Sequence, residues 1–467
     1  MSNPGSPLSE STEPVESAPT GRFDFSFIRT ILVLTLPIAL GRQVENIMGM
    51  VNIFLVGKLG TEAISAYGIA RSVTMVMSFA MMAVTTGTFA LVAQAIGAGS
   101  MEDASATAKQ SFTLLFLLSI GISLVGIPTA PYMLPALSVG PEVVALGTPY
   151  LQVYFVGIPL MMLNYAVTNC LHGAGDTRTP FYIGIMNNIV RIIATYLLIF
   201  GVWGLPRLGV TGAAYGDIIG RGVGTIAGFS VLYSGRLRLR LLPGTSYRPN
   251  LVLVRRILKI GIPSAVEGFL RNGSSLIYVK FVALTAFSTE AVAAFSIGRQ
   301  IERVLHHTSL SFGTAATTLV GQSLGRKNPE EADRRGWTIL LIAVLTTLIV
   351  GLPTVLFARS IMAVFTDAPQ VIQIGSFYLY AIVLAEPFMG AARVSGGALR
   401  GAGDTMPALI YTLISQWCIR LPVAWVLAFW AGYDTNGIWA ALIVFSVIQG
   451  FLTVRKYAQG EWKKRRI

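Results

Sequence analysis

Apolar residues in this chain are gathered into long blocks separated by short polar connections. The block at 337–358, WTILLIAVLTTLIVGLPTVLFA, carries no charge along its whole length. A run of that length crosses the roughly 30 Å hydrocarbon layer of a bilayer as a helix. Blocks of this kind predict twelve helices, at 29–57, 63–95, 105–128, 142–169, 181–201, 209–234, 255–285, 290–323, 336–358, 369–399, 408–431 and 436–457. Several are longer than a bilayer requires, which implies tilt or extension past it. A membrane barrel would need alternating polarity in segments of about ten residues, and that alternation is missing. The expected fold class is an all-α integral membrane protein embedded in a lipid bilayer.

The blocks repeat. LGTEAISAYGIARS at 59–72 answers to FSTEAVAAFSIGRQ at 287–300, and LVAQAIGAGSMEDA at 91–104 to LVGQSLGRKNPEEA at 319–332, both at an offset of 228. Over 61–104 against 289–332, 14 of 44 positions are identical without a gap. HGAGDT at 172–177 matches RGAGDT at 400–405, and Pro159 matches Pro387, at the same offset of 228. LPIAL at 36–40 matches IPSAV at 262–266 at an offset of 226. The repeat divides the chain into a tail at 1–24, a six-helix lobe at 25–235, a basic linker at 236–254 and a second six-helix lobe at 255–460. An even number of helices per half gives both halves the same orientation. They are then related by a pseudo-twofold axis along the membrane normal, with a cavity between them.

Charge sharpens this picture. Only 12% of residues are charged, against about 25% in soluble domains. The net charge of +13 would suggest nucleic acid, but the basic residues collect in alternate connections, 22 against 3. That is the positive-inside pattern of membrane topology, with both termini cytoplasmic, and no nucleic-acid partner is expected. The two cysteines, Cys170 and Cys418, lie far apart in apolar segments and suggest neither a disulfide nor a metal site. The Ser-, Pro- and Glu-rich start lacks a signal-peptide core and reads as a disordered cytoplasmic tail.

With LPIAL, VNIFLVGKLGTEAISAYGIA, the Q-x-x-G at Gln94 and Gln322, the duplicated G-x-G-D-T at 173–177 and 401–405 and the paired prolines in place, the chain resembles the MATE (multidrug and toxic compound extrusion) family, prokaryotic type. The resemblance runs from about residue 25 to 457. It implies a two-lobed, twelve-helix fold that exchanges organic, cationic or amphipathic substrates for H+ or Na+, with no further cofactor. The glycine motifs themselves read as tight turns with positive φ, in which Asp-Thr caps the next helix.

A charge inside a membrane span is expensive and faces a cavity or a partner. The first helix carries Arg42, Glu45 and Asn52. Glu45 and Asn52, seven residues apart, share a face and form the candidate site for the coupling ion, with Arg42 as an alternative neutralising partner for Glu45. Relatives usually carry Asp where Asn52 stands, an Asp near Asn187, Asn188 and Arg191, and a Glu where Arg271 stands. Here Glu267 precedes that place by one turn, and Glu45 occupies the position related to it by the repeat. Asp217 is a candidate for the cavity or a partner for Arg191 or Arg221. In the second half, Arg299, Glu302, Arg303 and His306 form one helical stripe, and Arg299 answers to Arg71. Histidine titrates near neutral pH, which makes His306 a relay candidate beside Glu302. Glu267 with Arg271 has ion-pair spacing. Glu386, before Pro387, either lines the cavity or pairs with Arg393.

The expected function is secondary active transport by alternating access, in a monomer in the plasma or inner membrane. A lipid-linked glycan flippase of the same superfamily is the alternative, kept in view by the many arginines. An embedded enzyme is disfavoured because no hydrolase or zinc motif occurs.

Overall fold

Twelve helices long enough to span a bilayer follow one another between residues 25 and 465, the part of the chain that the computed structural model describes. The tail expected at 1–24 lies outside the described residues. The first six are α1 (Phe25–Gly57), α2 (Thr61–Gly97), α3 (Met101–Met133), α4 (Pro141–Gly173), α5 (Arg178–Phe200) and α6 (Val210–Tyr233). The second six are α7 (Leu251–Ala283), α8 (Ser288–Gly325), α9 (Pro329–Leu356), α10 (Pro369–Gly401), α11 (Met406–Trp430) and α12 (Asp434–Ala458). Every helix expected from the apolar blocks is present, most of them longer by a few residues at one or both ends. Helix α2 is interrupted at Val76, and α11 contains two π-helical stretches, Leu413–Arg420 and Val426–Trp430.

Nine of the twelve are apolar enough to be read as spans on composition alone. The three that fall short are α6, rich in glycine, and α7 and α8, which carry several ionisable residues each. Large apolar side chains such as Leu124, Leu276 and Ile349 stand 70%, 74% and 71% exposed on the outside of the bundle. Such a surface belongs in lipid, where helices satisfy their own backbone polar groups.

The repeat is visible in the helix ends. Ser100 accepts a hydrogen bond from Asp103 N at 3.3 Å to start α3, and Asn328 accepts one from Glu331 N at 2.9 Å to start α9, 228 residues on. Helices α4 and α10 end alike. Gly175 (φ 84°) and Gly403 (φ 74°) turn the chain in the left-handed region. Asp176 N reaches back to Leu171 O at 2.9 Å and Asp404 N to Leu399 O at 2.8 Å, the six-to-one bond of a glycine-terminated helix. The halves then part company. Asp176 caps α5 by accepting from Thr179 N at 3.0 Å, whereas Asp404 faces Arg465 at 3.1 Å.

The lobes exchange their first helices in part. The start of α1 lies on the second lobe, where Ile31 and Leu34 join a core with Phe312, Ala315 and Leu319 of α8. The start of α7 lies on the first lobe. A Cβ on Gly87 of α2 would sit 2.0 Å from Ile257 O, and one on Gly261 would sit 1.7 Å from Ala83 O, so the two backbones touch. Helices α2 and α8 cross the same way at equivalent points: a Cβ on Gly97 would meet Gln322 O at 2.0 Å, and one on Gly325 would meet Gln94 O at 2.1 Å. Small residues are what allow such close approach between helices in lipid.

At that crossing the glutamines of both Q-x-x-G motifs reach across. Gln94 Nε2 donates to Gly401 O at 2.9 Å, and Gln322 Nε2 donates to Gly173 O at 3.1 Å. Thr318 Oγ1 adds a bond to His172 O at 2.9 Å. These contacts join the lobes at the face of the bundle where the described chain begins and ends.

The linker is held down on that face. Lys109, 3% exposed, donates from Nζ to Leu242 O at 2.6 Å and Thr245 O at 2.8 Å. Gln110 bonds Arg248 O and receives Asn250 N. Asn250 then caps α7 through Val252 N and Leu253 N.

Candidate functional site

Helix α6 sets up the polar interior of the first lobe. Its glycines recur every four residues, at Gly212, Gly216, Gly220, Gly224 and Gly228. They form one stripe against α5 and α4: a Cβ at Gly216 would meet Thr195 Oγ1 at 2.1 Å, at Gly220 Arg191 Cβ at 2.7 Å, and at Gly224 Asn164 Nδ2 at 2.7 Å. The close fit brings polar side chains of three helices together. Between them and α1 lies a cavity of about 190 Å³, lined by Arg42, Glu45, Asn164, Tyr165, Asn187 and Arg221 among others. The Arg221 guanidinium lies 5.6 Å from the centre of the Tyr165 ring. Asn188 is also in this wall, and its Nδ2 donates to Gly184 O at 2.8 Å.

Glu45 lines this space, and among the described residues it makes no ion pair with a basic nitrogen within 4.0 Å. Arg42 is on the same wall, but the alternative neutralising pair with Glu45 is not closed. Asn52 is 1% exposed, its Oδ1 has no hydrogen-bond partner among the described residues, and it stands outside the cavity lining. The two residues share a face, as seven-residue spacing requires, but are separated by about 10 Å along the axis.

The other intramembrane carboxylates are engaged. Asp217 pairs with Arg191 at 3.3 Å across α5 and α6. Glu267 takes Arg271 at 3.3 Å and Arg400 at 3.5 Å. Glu386 is paired with Arg393 and accepts from Ser309 Oγ at 2.7 Å, while Arg393 Nη2 contacts His306 Nδ1 at 2.8 Å. Donation by arginine leaves Nδ1 of that imidazole unprotonated. Glu302 accepts from Tyr378 Oη at 2.9 Å and sits 3.9 Å from Arg299 Nε. Sequence spacing identified the Glu267–Arg271 and Glu386–Arg393 pairs. It missed Tyr165, Asn164, Tyr378 and Arg400, which come from distant helices. The four-residue glycine period of α6 was readable and marks the helix that builds the cavity.

Comparison with known proteins decides the family. A model of the MatE family matches residues 37–197 and 263–426, two blocks whose starts differ by 226 residues, the offset of the LPIAL–IPSAV match. The chain belongs to the MatE family. Among curated relatives, it is 29% identical over 450 residues to the probable multidrug resistance protein NorM of Thermotoga maritima, covering 94% of each chain. It is 25% identical to the probable multidrug resistance protein YoeA of Bacillus subtilis, covering 94% of this chain and 95% of the relative. Among solved structures, a variant of the Vibrio cholerae MATE transporter VcmN superposes with a TM-score of 0.86 at 21% identity, over 94% of this chain and 99% of that one. The MatE chain is thus a multi-pass membrane transporter with the twelve-helix, two-lobe fold. Glu45 is among the residues that line its first-lobe cavity.

Proposed function

We propose that this protein is an ion-coupled antiporter that expels amphipathic organic compounds by alternating access, exchanging them for H+ or Na+ at Glu45. The observation that carries the reading is Glu45 itself. It is an intramembrane carboxylate without an ion pair among the described residues, placed in a polar cavity, while Asp217, Glu267 and Glu386 are each held by arginine. An unpaired carboxylate in a span is kept where it binds or releases a cation. Desolvation suits it to carry a proton, and ionised it suits sodium, with neighbouring amide oxygens as further ligands. The names of the relatives support a broad range of drugs as cargo. The face where the lobes meet, which carries the basic linker, is the cytoplasmic one under the positive-inside rule, and the membrane is the plasma or inner membrane.

The test is efflux from proteoliposomes containing the full chain, with a pH gradient and a sodium gradient imposed separately. Transport driven by one of them is expected. Equal rates with and without both gradients would reduce the protein to a facilitator.

A further inference from the structure

A hollow of about 660 Å³ opens at the junction of the lobes, on the face that carries the linker. Its walls are the start of α1, the glycine turn between α4 and α5, the linker just beyond α6, and α8 of the second lobe, which supplies Leu319 and Gln322. The first three segments bring Arg29, Arg178, Arg236 and Arg238 to this one space. Against them the described lining offers a single carboxylate, Asp176, and that carboxylate is turned to cap α5 through Thr179 N. None of the four arginines has a carboxylate oxygen within 4.0 Å among the described residues.

The repeat builds a second hollow, of about 630 Å³, from matching parts. Leu91 and Gln94 stand where the first has Leu319 and Gln322, at the offset of 228, and Arg256 stands where the first has Thr30, at the offset of 226. After α6 and α12 alike the chain turns at a left-handed glycine, Gly235 (φ 71°) and Gly460 (φ 72°), and continues into a basic stretch. The two stretches then differ. In the second, Lys463 meets Asp333 at 3.0 Å and Arg465 meets Asp404 at 3.1 Å. In the first half the residue equivalent to Asp333 is Ser105, and the one equivalent to Asp404 is Asp176, already engaged at its helix. The second half thus carries these counter-charges in its own chain, and the first does not.

An arginine guanidinium presents a planar fork that matches phosphate oxygens two at a time. Val33, Leu34 and Leu237 add apolar wall beside the arginines, which suits the organic part of a phosphate ester. We infer that this hollow binds a phosphate monoester, its oxygens held by Arg29, Arg178, Arg236 and Arg238. A lipid headgroup and a soluble metabolite can both carry that group. The hollow shares only Thr177 with the lining of the Glu45 cavity, so the inference stands whichever ion or cargo the transporter takes.

Phosphatidic acid and glycerol 3-phosphate present the same phosphate monoester with and without acyl chains, and phosphatidylcholine presents the chains without net charge. Each is titrated against the detergent-purified full chain, and affinity is read from the rise of the melting midpoint, because a ligand bound by the folded state stabilises it. Phosphatidic acid is expected to raise the midpoint saturably and phosphatidylcholine to leave it in place. Arg29→Gln and Arg238→Gln should each weaken the affinity about tenfold, the loss of one hydrogen bond to a charged group, with Arg238→Lys recovering part of it. The control is Arg255→Gln. Arg255 is the counterpart of Arg29 at the start of α7, is exposed, and lines neither hollow, so its loss should leave the parental affinity. A matching rise with glycerol 3-phosphate would make the headgroup sufficient and a soluble ester a ligand, and a rise with phosphatidic acid alone would assign the site to lipid; both uphold the inference. No rise with either phosphate, an equal rise with phosphatidylcholine, or parental affinity in the Arg29→Gln, Arg238→Gln double variant would overturn it. So would an equal loss in Arg255→Gln, which would reduce the effect to the general basic charge of that face.

Discussion

Gln94 and Gln322 each hold the other lobe. The side chain of Gln94 is bonded to the carbonyl of Gly401, the side chain of Gln322 to that of Gly173, and both members of each pair are 228 residues from their counterparts. Alternating access requires this face to open, and the two bonds must then break together. Each is worth about 1 kcal/mol, so losing both, about 2 kcal/mol, moves the balance between closed and open by about 30-fold. In the double variant Gln94→Ala, Gln322→Ala, spin labels at positions 102 and 330 should show a longer, broader distance distribution than in the parent. An unchanged distribution would mean that the glycine contacts alone keep the face shut.

Glu45 is expected to be the residue whose neutralisation most impairs coupling. Glu45→Gln keeps shape and hydrogen bonding but removes titration. With no ion pair to break, it should leave insertion and thermal stability near those of the parent while suppressing efflux under either gradient. Glu45→Asp should keep part of the activity. Parental transport by the Gln variant would move the coupling site to Asp217 or to the Glu302–His306 cluster.

The glycine stripe of α6 gives a stability contrast within one turn. At Gly220 a Cβ would stand 2.7 Å from Arg191 Cβ, whereas at Gly222 it would stand 3.5 Å from Leu160 Cδ1, an ordinary contact. Gly220→Val should cost about 1–3 kcal/mol through overpacking and disturb the Arg191–Asp217 pair. Gly222→Ala should be nearly silent. Heating followed by gel filtration of the detergent-purified variants reads the difference.

Topology can be read at the linker. In a chain whose Cys170 and Cys418 are replaced by Ser, Arg240→Cys should resist a membrane-impermeant maleimide added outside intact cells and react after permeabilisation. Arg207→Cys, in the connection between α5 and α6, should react from outside. The reverse pattern would invert the protein in the membrane.

Much of this was legible in the chain because it is periodic or local. Apolar blocks located twelve helices, the constant offset related Gly175 to Gly403, and four- and seven-residue spacings found the partners of Glu267 and Glu386. What escaped was pairing between remote segments. Tyr378 meets Glu302 from 76 residues away and Gln94 meets Gly401 from 307, and no local rule encodes either. The glutamines were visible as a motif, but their task depends on two helices crossing with backbones in contact. The unequal fates of Asp176 and Asp404 were hidden for the opposite reason: identical motifs met different neighbours.

The exchange of helix starts between the lobes also bears on how the protein is made. The glycine at position 87 is closed over by the chain at 257, so α2 waits for roughly 170 further residues. At about 5–20 residues per second of synthesis, that is on the order of ten to thirty seconds. During that interval the first six helices are in the membrane with the contact face of α2 uncovered, and α1 is without the α8 core on which Ile31 and Leu34 come to rest. The amino-terminal half is thus an unfinished object when it leaves the ribosome. Biogenesis has to hold it open until the carboxy-terminal half arrives.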